Sequence, residues 1–316
     1  MSVVKRGRKA GRAGAVHGSG GIERWLDGFA RYARLHGELK ASTVKVYLGW
    51  LAYLARFLAG RRVRSIRSLG LVDLDDFFTE QGARMSPRSL YIVRAAVRSF
   101  LKYLYVEGEL SSDLGDALPR PSRFSADRRP KYLPWAKVEE LLSGIDRSSL
   151  VGKRDFALLT LLACHGLRVG EAAALRVQDI DFIEGSFFLR ERKDGRCARL
   201  PLSARAKEAL EDYLRARPAT GHAEIFLTVL PPLGPLRAGI YWVAQSHMRR
   251  RFGNTISCYG SHVLRHSFAK CLLDRGARLT DLGLILGHRH LRSTLIYARI
   301  ATEELREVAD NYARLL

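Results

Sequence analysis

The stretch Ser261-His262-Val263-Leu264-Arg265-His266-Ser267-Phe268, continued through Leu286-Gly287-His288 to Tyr297, decides how this chain is read. Ser261 is expected to cap a helix whose apolar face is Leu264, Phe268 and Leu272. His262 and Arg265 are three apart and so share one face of it. Twenty-three positions separate Arg265 from His288, and nine separate His288 from Tyr297. Upstream, His165-Gly166-Leu167-Arg168-Val169-Gly170-Glu171 sets glycines on both sides of an arginine. Such a backbone turns tightly and admits a large ligand, which presents Arg168 at the mouth of a cleft. With Lys193, these segments supply two arginines, two histidines, a lysine and a tyrosine, a set suited to attack on a phosphodiester. Guanidinium matches the nonbridging oxygens bidentately and stays charged at all relevant pH.

Working outward, the patterning is mostly helical. Trp25, Phe29 and Tyr32 recur at helical spacing, and Tyr47, Leu48, Leu51, Leu54 and Leu58 form a second stripe with Ser42 as expected N-cap. A shorter segment holds Leu71, Leu74, Phe77 and Phe78. Ser86-Pro87, a cap followed by proline at the first helical position, opens a fourth helix to Gly108. The Pro/Arg/Ser stretch from Leu118 to Pro130 reads as an interdomain linker. Beyond it, Phe187-Phe188-Leu189 and Leu200-Pro201-Leu202 around Lys193-Asp194-Gly195 predict a hairpin. Ser203 is expected to cap a further helix, and Ile225-Phe226-Leu227 is a candidate short strand.

Composition narrows the partner. The chain has 316 residues with 53 Lys+Arg against 32 Asp+Glu, a formal charge of +21 that points to a polyanion. The basic residues are spread through regions of apolar periodicity rather than along one amphipathic segment, which favours nucleic acid over a membrane surface. The apolar run near Phe156 to Cys164 is too short to span a bilayer. The Gly-rich basic stretch 1–21 has no secretory core, so the expectation is a soluble intracellular protein with a flexible arm. Cys164, Cys197, Cys258 and Cys271 show no CxxC spacing and are expected to be small buried hydrophobes. His262 and His266 have the i, i+4 spacing of zinc proteases, but Val263 stands where that pattern needs glutamate. No metal or other cofactor is expected.

On these motifs the chain resembles the tyrosine recombinases, the integrase and Xer-type enzymes that break and rejoin DNA. The family pattern is matched at Arg168, Lys193, His262, Arg265, His288 and Tyr297. The resemblance implies an α+β chain, mainly α with a small hairpin or sheet. A four-helix SAM-like core-binding domain would span 22–117, a linker 118–130 and the catalytic domain 131–316, together a C-shaped clamp on DNA. Tyr297 would attack to leave a 3′-phosphotyrosyl link and a free 5′-hydroxyl. Arg168 and Arg265 would clamp the phosphate, His262 would serve as acid/base, His288 would hydrogen-bond the phosphate, and Lys193 would protonate the leaving oxygen. Arg192 and Arg196 flank that lysine as alternatives. Glu171 would buttress the site, or stand as an exposed helix-start carboxylate.

The implied partners are double-stranded DNA bearing a recombination site and three further copies on two sites, with or without a partner recombinase. Arg120, Arg123, Arg128 and Arg129 are candidate phosphate contacts. A capped amphipathic helix is expected over 302–316, docking on a neighbouring protomer in relatives. Two alternatives stay open: strand nicking of the type IB topoisomerase kind, and a DNA-binding relative without catalysis. The role could be transposition, phage-like integration or Xer-like resolution.

Overall fold

A computed structural model of the chain describes residues 23–36, 39–61, 65–118, 130–190, 197–237, 239–288 and 294–297. These divide into two compact units, one within Met1–Ser125 and the other within Ala126–Leu316. The sequence-expected arm, the four linker arginines, Lys193 and the 302–316 helix lie outside the described residues.

The first unit is helical: α1 (Glu23–Leu35), α2 (Ala41–Gly60), α3 (Leu71–Arg84), α4 (Pro87–Val106) and the single-turn α5 (Leu114–Ala117). Their apolar stripes bury Phe29, Leu51, Leu54, Leu58, Leu74, Phe77, Val97, Phe100 and Leu104 in one core, and Phe29 meets Phe100 edge to face at 5.8 Å. The α4 start is as expected, with Ser86 Oγ accepting from Ser89 N–H at 3.2 Å. The α2 start is not: the N-cap is Lys40, without a side-chain cap, and Ser42 lies inside the helix. Leu118, read as the first linker residue, is buried in this core.

The second unit is built round α7 (Leu150–His165). Ala157, Leu158, Leu159, Leu161, Leu162 and Ala163 are all buried, so the middle of the helix buries apolar side chains on successive faces, as a helix packed on several sides must. It contacts α6 (Trp135–Ser143), α8 (Val169–Ala174), α9 (Ala204–Ala216) and α11 (Ser261–Asp274), while α10 (Gly239–Phe252) and α12 (Leu279–Leu286) pack on α11. Ser203 caps α9 as expected. The expected cap at Ser261 is corrected: Gly260, at φ +101°, is the N-cap, and Ser261 is the first helical residue, fully buried.

The small sheet has three antiparallel strands, β1 (Ile180–Asp181), β2 (Ser186–Leu189) and β3 (Ala198–Pro201), with Phe187 opposite Leu200 and Leu189 opposite Ala198. The hairpin is the one expected; β1 adds a third strand. Ile225, Phe226 and Leu227 are buried but make no strand, only isolated bridges at Glu224 and Leu227. The cysteines are not the buried hydrophobes expected: Cys197 is exposed and the other three are partly so. No described helix is long and apolar enough to cross a membrane.

Candidate active site

Two helix ends organise the site. The α7 helix stops at Gly166, whose φ of +60° and ψ of 28° make a left-handed cap. A Cβ there would lie 2.5 Å from Phe268 Cδ1, so only glycine fits. The α12 helix stops the same way at Gly287. Each end leaves backbone carbonyls without helical partners, and two arginines fill them. Arg265, projecting from α11, donates from Nη1 to Gly166 O at 2.5 Å and from Nη2 to Leu286 O at 2.7 Å. Arg168 donates from Nη2 to Gly287 O at 3.1 Å.

Arg168 is also the N-cap of α8, where Glu171 answers it twice. One carboxylate oxygen accepts from the Arg168 backbone N–H and the other from Nη1, both at 2.8 Å. Glu171 is only 5% exposed, which removes the exposed-carboxylate alternative and leaves the buttress. Glu171 itself places in the first turn of α8 the negative charge that a helix start favours.

His288 follows the α12 cap. Its Nε2 lies 3.2 Å from Arg265 Nη2 and its Nδ1 lies 2.8 Å from Thr294 Oγ1. Tyr297 is 1% exposed and its ring lies parallel to that of His288 at 6.2 Å. Its hydroxyl is 2.8 Å from His266 Nδ1. Burial pushes the Tyr297 phenol up, with Arg265 and then Arg168 pulling the other way. Burial first, then His262 and Arg265, lowers the His266 imidazole to about 4. At neutral pH the nucleophile candidate is therefore a neutral phenol bonded to a neutral imidazole. His262 stands exposed one turn earlier on α11.

Arg168, Arg265, His288 and Tyr297 are thus brought together with Glu171, and His262 stands near His266; Lys193, Arg120, Arg123, Arg128 and Arg129 fall outside the described residues. Two polar side chains in the cluster were not singled out from sequence for it. His266 enters the sequence reading only through its spacing from His262, and its partner proves to be the Tyr297 hydroxyl. Thr294 carried no signal beyond standing three before Tyr297. Among the described residues no three His, Cys, Asp or Glu side chains converge as metal ligands would. What the cluster offers is a pair of fixed guanidinium groups beside a phenol, which is chemistry for a phosphate and a covalent intermediate.

Residues 131–304 match the phage integrase family, and residues 26–108 match the phage integrase N-terminal SAM-like domain. An integrase/recombinase y4rA of Sinorhizobium fredii is 34% identical over 298 residues, covering 93% of this chain and 72% of that one. The tyrosine recombinase XerC of Oceanobacillus iheyensis is 32% identical, covering 90% and 94%. Among solved structures, the XerH site-specific recombinase in its post-cleavage complex with a palindromic difH substrate superposes with a TM-score of 0.71 at 20% identity, covering 91% of this chain and 84% of that one. With its helical SAM-like unit, its three-stranded sheet and these matches across both units, the chain belongs to the phage integrase family of tyrosine recombinases, enzymes that break and rejoin DNA.

Proposed function

We propose that Tyr297 is the nucleophile with which this recombinase cuts one DNA strand at a time at a specific site. Its oxygen attacks the scissile phosphorus, the bond to the 5′-oxygen breaks, and a 3′-phosphotyrosyl link remains. The stored phosphodiester lets a 5′-hydroxyl reverse the step without ATP. Arg168 and Arg265 meet the nonbridging oxygens as charge builds in the transition state. His262 moves protons beside the phosphate, His288 acts at the phosphate through its side chain, and Lys193 protonates the departing 5′-oxygen. Glu171 holds Arg168 in place. No metal or cofactor enters the reaction.

The observation that carries this reading is the convergence of two backbone-anchored guanidinium groups on one buried phenol. On the larger scale we assign DNA recognition to 22–117, catalysis to 131–316 and the connection to 118–130, with Arg120, Arg123, Arg128 and Arg129 on phosphates. Four copies on two sites would exchange strands through a Holliday junction, alone or with a partner recombinase, in the cytoplasm at the nucleoid. The 302–316 helix would dock on a neighbouring copy.

The test is incubation of the full chain with a fragmented genomic DNA pool and separation on denaturing gels, without metal or ATP. A protein-DNA adduct that vanishes in Tyr297→Phe supports the reading, and sequencing the trapped DNA gives the site. An adduct that survives the substitution assigns the nucleophile elsewhere. Relaxation of supercoiled plasmid with no joined product between two sites would instead favour the topoisomerase-like reading.

A further inference from the structure

The first turn of α11 carries His262, and no side chain of its own caps that turn. Gly260, the N-cap, offers no side-chain bond, and the buried Ser261 hydroxyl beside it has no hydrogen-bond partner among the described residues. The placement of such a start is left to whatever packs against it. Gly260 is itself buried, with φ of +101° and ψ of 170°, a backbone region that glycine alone adopts readily.

What packs against it is one stripe of α10, where Tyr241, Met248 and Arg249 recur at i, i+7 and i+8. A Cβ on Gly260 would come within 3.0 Å of Tyr241 Cε2 and 3.5 Å of its Cδ2, so the edge of the phenol ring occupies the space that the missing side chain leaves. The Gly260 N–H donates to Met248 Sδ at 3.3 Å. One residue earlier, Tyr259 Oη donates to Gly253 O, and the Arg249 guanidinium lies over the Tyr259 ring at 5.3 Å. The Tyr241 ring is steadied in turn, edge to face with Trp242 at 5.3 Å and with its hydroxyl accepting from Gln245 Nε2 at 3.4 Å. Tyr241 is 41% exposed and stands outside the buried core; its inner edge rests on this backbone.

We propose that Tyr241 is a positioning residue: its ring, wedged on Gly260, fixes where α11 begins and thereby where His262 stands. This deepens the reading of the site given above and rests on it for its catalytic consequence. His262 follows Gly260 by two positions and is the first α11 side chain to stand exposed. Arg265, one turn on, is also tied to Gly166 O and Leu286 O, so a helix start that slips displaces His262 before it displaces the guanidinium. A proton-transferring group must come within hydrogen-bond reach of its target, and a misplacement of about 1 Å costs up to about a hundredfold in rate.

The experiment has a structural arm and a kinetic arm, both on the full chain. Hydrogen exchange on the DNA-free protein should show the amides of Val263, which bonds Gly260 O at 3.1 Å, and of Leu264 exchanging about tenfold faster in Tyr241→Ala than in the wild type, with the α7 amides unchanged. Unchanged protection at Val263 and Leu264 overturns the proposal. In single-turnover gels at saturating amounts of the DNA site recovered from the genomic pool, Tyr241→Ala should form adduct about tenfold more slowly, with affinity unchanged. A loss confined to affinity overturns the proposal and makes Tyr241 a DNA contact instead. Tyr241→Phe keeps the ring and should match the wild type in both arms; a phenylalanine protein as impaired as alanine refutes the wedge. The cycle with His262→Ala separates positioning from general weakening: in that background Tyr241→Ala should slow the reaction by less than about twofold, and a second tenfold loss overturns the link to His262. Should alanine fail to fold, Tyr241→Leu takes its place in every comparison. A His262→Ala protein as fast as the wild type, or a wild type that forms no adduct on any DNA, defeats the reading of the site, while the exchange arm still decides whether Tyr241 fixes the helix start.

Discussion

Acid should loosen the second unit through two histidines, His165 buried and His266 half-buried, and the size of the effect follows from where they sit. His165, at the end of α7, is 8% exposed, meets Phe187 edge to face and has Nε2 3.3 Å from Ser203 Oγ. Burial lowers it from 6.5 to about 4, as it does His266. Both prefer the neutral form in the folded protein, so the unfolded chain binds protons first as pH falls. The stability they contribute is present above about pH 6.5, declines below it, and is lost by the time pH reaches 4. Linkage with these two constants gives about 2 kcal/mol lost per histidine between pH 7.5 and 5, about 4 together, against typical domain stabilities of roughly 5–15 kcal/mol. Hydrogen exchange of the α7 and α11 amides at the two pH values, corrected for intrinsic rates, reads the opening free energy. The wild type should lose about 4 kcal/mol and the double variant His165→Gln, His266→Gln less than about 1, each single variant falling between. Equal losses in wild type and double variant would refute burial as the cause.

Four further outcomes are expected. His266→Asn removes the ring that meets the Tyr297 hydroxyl at 2.8 Å, and adduct formation should fall by about a hundredfold or more in single-turnover gels with DNA affinity intact; a change in melting temperature alone would reduce His266 to packing. Arg265→Lys keeps the charge, but one ammonium cannot span Gly166 O, Leu286 O and His288, so the rate should again drop by about 10² to 10³. Gly166→Ala forces a side chain into a left-handed position and against Phe268; denaturant melts should show a loss of about 2–4 kcal/mol. DNA affinity of the wild type should fall linearly on a log-log plot against salt, and a flat plot would contradict the phosphate contacts inferred from a charge of +21.

What the sequence disclosed and what it hid divide along physical lines. Ser86-Pro87 was legible because a cap and a proline are local chemistry, and their geometry is as expected. Ser42 and Ser261 misled for a common reason. A capping residue adopts extended or otherwise non-helical backbone, and Lys40 and Gly260 hold that conformation instead, so the serines fall within helices. The β2–β3 hairpin announced itself through two apolar runs flanking a polar turn. The two-residue β1 was too short to show any period, and it exists only because Ile180 finds Phe187 across the sheet. Ile225 to Leu227 had the composition of a strand, but the segment pairs only through isolated bridges, Arg176 with Glu224 and Leu227 with Pro235, and never builds a ladder; Ile225 and Phe226 are buried in the core. Spacing exposed Arg168, Arg265, His288 and Tyr297. His266 and Thr294 were hidden because their partners, at Tyr297 and His288, are set by how α11, α12 and the Tyr297 segment meet, and no periodicity in one segment encodes a contact with another.

The economy of the site lies in what holds its charges. A guanidinium needs acceptors wherever it is placed, and a carboxylate on each would compete with phosphate for the same donors. Here Arg265 takes the carbonyl oxygens of Gly166 and Leu286, and Arg168 takes that of Gly287, groups that the ends of α7 and α12 leave unfilled in any case. The two left-handed glycine caps are therefore part of the chemistry: by ending the helices abruptly they create the acceptors, and by lacking side chains they let the arginines reach them. With Arg168 and Arg265 meeting the phosphate as proposed, donors fixed by backbone before substrate binds would leave little reorganisation for the moment when charge develops. The two arginines differ in setting, and Glu171 bonds Arg168 twice. Arg168 stands 21% exposed at the start of a short helix, where water would otherwise compete for it, whereas Arg265 is 4% exposed and enclosed by the ends of two helices.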